Sequence, residues 1–234
     1  MSTRKCDKIP LVLVARGIIL FVKILPNKQL DKEIYLGFRE AVVGGVNFGE
    51  KIKKDHPLIT KENHSENIDN FYQENQNELE AVKKDTEKCF ADIEKPLFTE
   101  LQKYFSRDFS QENYTCFLSI FDCNPRFLEN KTFQVYYKRS HDLRKEVITH
   151  ELTHFAFYDF CHGFGINDSQ ALWELSEIFN ILFLNLPPLR AAIGAEEQLF
   201  YPELKEKMVM IQTIWSKNLP AEKFIKASLE FLQK

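Results

Sequence analysis

The stretch VITHELTHFAF, from Val147 to Phe157, decides how the rest of the chain is interpreted. Its apolar residues recur at helical spacing on two sides, which is typical of a buried helix. His150 and His154 are four residues apart, just over one helical turn, so both imidazoles project from the same face. We expect a helix from about Asp142 to Cys161 that holds one metal ion on this face, with Zn²⁺ as the cation that imidazole nitrogens suit best.

A carboxylate stands beside the first of these histidines. Glu151 lies about 100° round the helix from His150, close enough to reach a metal-activated water without coordinating the ion. A carboxylate in that place can accept a proton as the water attacks a carbonyl, and then return it to the leaving amine. His150 and His154 are therefore candidate ligands, and Glu151 is the candidate general base.

The five residues HELTH resemble the signature of the zincin metallopeptidases. That resemblance implies an enzyme, a hydrolase that cleaves peptide bonds in peptide or protein substrates with zinc as its cofactor. The metzincin pattern requires Gly at position 157 and His or Asp at position 160, whereas this chain carries Phe157 and Phe160. The chain is therefore more similar to the gluzincins, which take a third metal ligand from a Glu on the following helix.

The next helix offers two such residues in LWELSEIFN. Glu174 lies 20 residues after His154, as in the thermolysin-type pattern, but Ile178 stands where that pattern places a further carboxylate. Glu177 lies 23 residues after His154 and matches the third ligand in small prokaryotic HExxH proteins that this region also resembles. We favour Glu177 slightly and keep Glu174 as the alternative.

Two segments before the HELTH helix have the composition of strands. YTCFLSIFDC (114–123) and TFQVYY (132–137) are rich in aromatic and β-branched residues, and Asn124-Pro125 between them is a turn signal. They predict an antiparallel β-hairpin. In zincins an edge strand above the metal commonly binds extended peptide, so the resemblance assigns that task to Gln134, Val135 and Tyr136, with a plain core strand as the alternative.

Peptide hydrolysis also needs a donor beside the developing oxyanion. Tyr158, His162 and Tyr137 are candidates by their position in the sequence, together with Tyr136 and His141. Seven phenylalanines are expected to form the apolar wall behind the two histidines: Phe117, Phe121, Phe133, Phe155, Phe157, Phe160 and Phe179.

The whole chain is expected to have an α+β, predominantly helical fold, with a small antiparallel β-hairpin or sheet packed on the HELTH helix. Residues 1–110 form a charged helical region that could cover the cleft, and residues 111–234 form the catalytic region, unless both pack as a single domain.

The N-terminal region should be helical from about 30 to 54, a solvated linker from 61 to 70, and helical again from 68 to 105 with a break or kink at Pro96. The apolar run from 9 to 22 is expected to be a buried strand or helix. Two further helices, at about 201–217 and 220–233, should complete the chain.

Composition excludes several classes of protein. Lys+Arg 31 against Asp+Glu 34 gives a net charge of -3, which argues against a nucleic-acid partner. The spacing of Gly44 and Gly49 is that of a phosphate-binding loop, but Glu50 replaces its lysine. No apolar run reaches the roughly 20 residues of a membrane span. Five cysteines without a CxxC pair suit a reducing compartment, so we expect buried free thiols and a cytoplasmic location.

Two alternatives remain open at the level of sequence. The chain could bind zinc and be a latent or inactive peptidase-like protein, with its N-terminal half covering the cleft as a pro-segment does. It could also be a metal-free helical interaction protein, an idea that only the long charged helical region supports.

Overall fold

A computed structural model of the chain describes residues 22–43, 45–109 and 112–233. These ranges are mainly helical and contain a mixed four-stranded sheet and a separate pair of short strands, which confirms the predicted α+β, predominantly helical fold. The apolar run from 9 to 22 lies outside the described residues except for Val22. None of the helices in the described ranges is long and apolar enough to cross a membrane.

In chain order the strands and helices are β1 (Val22–Pro26), α1 (Lys28–Phe38), β2 (Val42–Val43), β3 (Val46–Asn47), α2 (Phe48–Asp55), α3 (His64–Glu74), α4 (Gln76–Phe105), β4 (Tyr114–Ser119), β5 (Arg126–Phe127), β6 (Thr132–Tyr136), α5 (His141–Gly163), α6 (Gln170–Leu184), α7 (Pro187–Ile193), α8 (Lys205–Trp215) and α9 (Ala221–Leu232). A short 3-10 turn, Pro202–Leu204, precedes α8. The helices α5 and α6, which matter most below, begin after Ser140 and Ser169. Each serine side chain accepts a hydrogen bond from the backbone N–H three residues later, which satisfies one of the free donors of the first turn.

The predicted hairpin between the two segments at 114–123 and 132–137 is wrong. The sheet has the order β1-β4-β6-β5, and β4 pairs with β6 in parallel, with Thr115 opposite Thr132. Parallel strands need a crossover, and residues 120–131 provide it. The antiparallel neighbour of β6 is β5, inside that crossover, with Arg126 opposite Phe133.

The N-terminal region differs from expectation at three places. The strands β2 and β3 divide the helical stretch expected from 30 to 54. The turn between these two strands contains Gly45, whose positive φ of +77° is one that glycine adopts readily. The polar stretch expected as a linker enters α3. Helix α4 is 30 residues long and continues through Pro96 without the expected break. The buried side chains of Leu97 and Phe98 pack the helix against the core strongly enough to offset the backbone hydrogen bond that proline cannot make.

The helix α5 lies at the centre of the main hydrophobic core. It packs against α4 on one side and α6 on the other, with the strand β6 nearby. Of the seven phenylalanines expected behind the histidines, Phe133, Phe155, Phe157 and Phe179 are buried in this core, whereas Phe121 belongs to a second, smaller cluster. Four cysteines are free and buried as predicted, namely Cys89, Cys116, Cys123 and Cys161, and Cys6 lies outside the described residues.

The two halves of the chain share this core. Strand β1 pairs in parallel with β4, and α4 makes extensive contact with α5. Side chains of α4 such as Phe90, Leu97 and Leu101 are buried in the same cluster as Phe155. A pro-segment that is released to open a cleft would not supply core residues to the remainder, so this packing argues against the latency hypothesis in that form.

A buried carboxylate, Asp31 of α1, ties the helix to the ends of the strands. It accepts hydrogen bonds from the Ser119 hydroxyl at 2.5 Å, the Ile120 N–H at 3.0 Å, the Tyr72 hydroxyl at 2.7 Å and the Gln134 amide at 3.1 Å. Burial raises the pKa of Asp31 to about 6, although these hydrogen bonds act in the opposite direction.

The titration of Asp31 should make the protein less stable as the pH rises. Because the folded pKa of about 6 exceeds the ordinary value of 3.8, the folded state binds more protons between these limits, and stability is lost across that window as the carboxyl ionises. The free energy of unfolding should fall by about 3 kcal/mol from this group alone. Denaturant unfolding at pH 4, 5, 6 and 7 should therefore show a steeper decline for the wild type than for Asp31→Asn, which does not titrate. Parallel pH profiles would contradict the assignment.

Candidate metal centre and cleft

Helices α5 and α6 bring three ligand atoms together. His154 Nε2 lies 2.9 Å from His150 Nε2 and 3.3 Å from Glu177 Oε1, and His150 Nε2 lies 3.6 Å from Glu177 Oε2. All three side chains offer one ligand atom within 4.8 Å of the others. The four-residue spacing in α5 places the imidazoles on one face, and the packing of α6 against that face supplies the carboxylate.

The donor set fits a zinc ion. Bonds of about 2.0–2.1 Å in a tetrahedral shell place neighbouring ligand atoms roughly 3.3 Å apart, close to the separations of 2.9–3.6 Å seen here. Two nitrogens and one carboxylate oxygen also leave a fourth position for water or substrate.

The alternative ligand, Glu174, is engaged elsewhere. Both of its carboxylate oxygens lie 2.7 Å from the ammonium group of Lys207 in α8, and one also accepts a hydrogen bond from Gln170. Glu174 is therefore not a member of the cluster of possible ligands that contains His150 and His154. Of the two glutamates that the sequence left open, the geometry brings Glu177 to the imidazoles.

The electrostatics of the cluster differ between the two histidines. Burial, together with the nearby guanidinium of Arg126, lowers the pKa of His154 to about 4. Burial would lower the pKa of His150 as well, but the hydrogen bonds that its ring donates to the carboxylates of Glu177 and Glu197 outweigh burial and raise the pKa to about 10. Burial would raise the pKa of Glu177, but the two imidazoles lower it instead. These opposite directions favour the charged form of His150, whose ring lies between the carboxylates of Glu177 and Glu197, and the neutral form of His154.

Two residues that sequence reasoning missed hold His150 in place. Glu197 accepts a hydrogen bond from Nδ1 of His150 at 2.8 Å, so Nε2 points to Glu177 and His154. The backbone of Glu197 is itself held by the Asn185 side chain, with two hydrogen bonds at 2.9 and 3.0 Å. The Nδ2 amide of Asn180 donates to the backbone carbonyl of His150 at 2.9 Å. By contrast, the buried Nδ1 of His154 has no hydrogen-bond partner in the described ranges.

The expected general base, Glu151, faces a cation. Its Oε2 lies 2.7 Å from Nη1 of Arg126 on β5, and both side chains are largely buried. The guanidinium also lies over the ring of Tyr158, 5.7 Å from its centre. Nothing in the sequence around Arg126 indicates this pairing, because β5 is only two residues long and its place beside α5 depends on the crossover.

His150, Glu151 and Glu177 line a cleft of about 440 Å³, a size typical of small-molecule and peptide subsites. Its aromatic side includes Trp173 and Tyr201, whose rings meet edge to face 4.9 Å apart. Burial, together with the nearby carboxylates of Glu177 and Glu151, raises the pKa of Tyr201 to about 12, so its hydroxyl keeps its proton at neutral pH. Tyr201 is therefore a hydrogen-bond donor in the cleft that the sequence did not single out.

The residues expected to stabilise an oxyanion do not line this cleft. Tyr158 is buried beside His154, and its hydroxyl contacts that of Ser176 at 3.3 Å. The others lie elsewhere: Tyr137 in the smaller core cluster, Tyr136 packed against it, His162 paired with Asp168 at the exposed end of α5, and His141 paired with Asp85. Sequence proximity failed here because successive side chains of one helix point in different directions.

The strand β6 does not have the free edge that peptide binding requires. Gln134, Val135 and Phe133 are fully buried, and the Gln134 N–H donates to the Pro125 carbonyl. The Tyr136 N–H donates to the side chain of Asn124. The assignment of Gln134, Val135 and Tyr136 as a substrate strand is therefore wrong, because β4 covers one side of β6 and the segment 124–127 covers the other.

Comparisons of the chain with protein-family models, with curated proteins and with solved structures give no match. The HELTH segment and the arrangement of side chains around it are therefore the features that indicate a function.

Proposed function

We propose that this protein is a zinc-dependent metallopeptidase of the gluzincin type. One observation carries the proposal: His150, His154 and Glu177 converge beside Glu151 at the wall of a cleft large enough for part of a peptide. The order of these residues along the chain, two histidines and a glutamate on one helix and a second glutamate on the next, matches the gluzincin pattern.

In the proposed mechanism the three ligands hold the ion and Glu151 handles the proton. Zinc bound there would supply Lewis-acid activation of a water molecule and of the peptide carbonyl. Glu151 accepts the proton of the attacking water and passes it to the leaving amine as the C–N bond breaks. Glu197 keeps the ring of His150 oriented, as a carboxylate behind a ligand histidine commonly does.

Tyr201 replaces the oxyanion candidates that the sequence suggested. It lines the cleft, and its raised pKa keeps the hydroxyl as a donor at neutral pH. A donor aimed at the carbonyl oxygen stabilises the negative charge that develops there during attack.

The ion pair between Arg126 and Glu151 favours one second candidate, a zinc-binding protein that does not hydrolyse peptides, because the pair engages the carboxylate that must act as base.

Four buried free thiols support the further proposal of a reducing, cytoplasmic environment.

Metal removal tests the proposed function. Protein purified without added chelator should contain about one zinc per chain, and stripping it should lower the thermal midpoint and abolish hydrolysis of a peptide library, with both restored by zinc. A thermal midpoint that chelator and zinc leave unchanged would favour the metal-free interaction protein instead. Zinc bound with no cleavage of any peptide would favour the non-hydrolytic candidate.

A further inference from the structure

The guanidinium of Arg126 is a charged group of the cleft to which the proposed mechanism gives no task. Its side chain is only 16% exposed, and it lines the same cleft as His150 and Glu151. A cation buried to that extent requires anionic partners, since burial of an unpaired charge is costly. In the described ranges only its Nη1 is hydrogen-bonded, to Glu151. The edge formed by Nε and Nη2 is thus left without a protein partner.

The other cations of the cleft are differently placed. Lys51 and Arg139 also line it, but both pair with Asp122, at 2.6 and 2.7 Å. These two cations thus share one carboxylate, which has no task in the proposed mechanism. Among the described cations of the cleft, Arg126 differs because its partner, Glu151, is the proposed general base.

The place of Arg126 relative to the reaction follows from the contact with Glu151. A base that delivers its proton to the leaving amine must lie against the leaving part of the substrate. A substrate whose leaving amine lies against Glu151 would therefore bring its C-terminal part close to Arg126, whose Nη1 is 2.7 Å from Glu151. A free guanidinium edge matches a carboxylate with two parallel N–H···O bonds.

We propose that Arg126 binds the C-terminal carboxylate of the substrate, so that the protein releases residues from the C-terminal end of peptides. This proposal rests on the proposed peptidase function and specifies its substrate class. In the reaction, water adds to the carbonyl carbon, the C–N bond breaks, the new carboxyl stays on the shortened peptide, and the amine of the released piece takes the proton from Glu151. Arg126 holds the carboxylate of that released piece through Nε and Nη2, while its Nη1 stays bonded to Oε2 of Glu151 and leaves the other carboxylate oxygen of Glu151 to carry the proton.

Paired peptides test the proposal. Two peptides of identical sequence, one ending in a free carboxylate and the other in an amide, are incubated with the zinc-loaded protein, and the cleavage positions are read by mass spectrometry. The wild type should cleave the carboxylate peptide near its C-terminus with a kcat/KM about 10- to 100-fold higher, the value of one charge-assisted hydrogen-bonded contact. In Arg126→Gln the preference should fall to near one, mainly through KM. Arg139→Gln, which changes a paired cation of the same cleft, should keep it.

A binding measurement that needs neither zinc nor activity accompanies the assay. Trp173 lines the cleft, whereas Trp215 stacks on Tyr104 in the core, so a change of tryptophan fluorescence reports on the cleft. Metal-free wild type should bind the carboxylate peptide about 10-fold or more tightly than the amide. Equal cleavage or equal binding of the two peptides by the wild type would overturn the role of Arg126 even if Arg126→Gln failed to fold. No cleavage of either peptide, with the binding preference intact, would overturn the peptidase function alone.

Discussion

Replacing Glu177 with alanine should abolish stoichiometric zinc binding, whereas replacing Glu174 with alanine should leave it intact. The two residues lie three positions apart on α6, and only Glu177 reaches the imidazoles, at 3.3 Å from His154. Loss of a residue that merely supports a ligand commonly weakens metal binding by about 10–100-fold, so loss of a ligand should exceed that range. Metal content after exhaustive dialysis, and zinc affinity by competition with a chromophoric chelator, would measure the difference.

The Glu174→Ala variant is a matched control because it removes the same functional group from the same helix. It breaks the pair between the largely buried Glu174 and Lys207, whose side chain is 39% exposed and can be solvated once unpaired, so the cost in stability should be about 1–3 kcal/mol. Zinc retained by Glu177→Ala and lost by Glu174→Ala would show that the third ligand is the other glutamate. Zinc retained by both would leave only the two histidines as ligands.

Replacing Glu151 with glutamine should abolish hydrolysis while zinc remains bound. Glutamine has nearly the same shape and can still accept the hydrogen bond from Arg126, but it cannot take a proton from water. The expected loss in kcat is about 10²–10⁴-fold, the usual contribution of general base catalysis. Peptide release and metal content, measured on the same preparation, separate the chemical step from metal binding.

Glu146→Gln provides the control for this second experiment. Glu146 lies one turn before His150 on α5 and lines the same cleft, but it is not a member of the cluster of ligand atoms. Its replacement should alter kcat by less than about 10-fold. Equal losses in both variants would mean that the general charge of the cleft matters rather than a base at position 151. An active Glu151→Gln variant would remove Glu151 from the mechanism.

The part of the site that lies on α5 was accessible from the sequence because it depends on local geometry alone. A helix fixes the relative directions of His150, Glu151 and His154 once its existence is predicted. The same local reasoning predicted the extents of α5, α8 and α9 to within a few residues. It could not decide between Glu174 and Glu177, because that depends on how α6 is rotated against α5 and on Lys207, which comes from a third helix.

The rest of the site depends on contacts between residues far apart in the chain. Glu197 is 47 residues from His150, and Arg126 is 25 residues from Glu151, so neither pairing has a sequence signal. The direction of strand pairing was missed for a similar reason. The residues of β4 and β6 favour strands, but whether the two strands pair in parallel or antiparallel depends on the crossover 120–131 and on the neighbouring strand β1.

The pairing of β1 with β4 also constrains how the protein is made. Val22 is opposite Tyr114, so roughly 90 residues separate the partners. At a synthesis rate of ~5–20 residues per second, the first strand emerges from the ribosome roughly 5–20 s before its neighbour exists. During that interval its apolar side chains, Val22 and Ile24, have no sheet to join. Ribosome-bound chains ending before residue 114 should therefore be more sensitive to proteases and bind chaperones more strongly than chains extended past the end of β4.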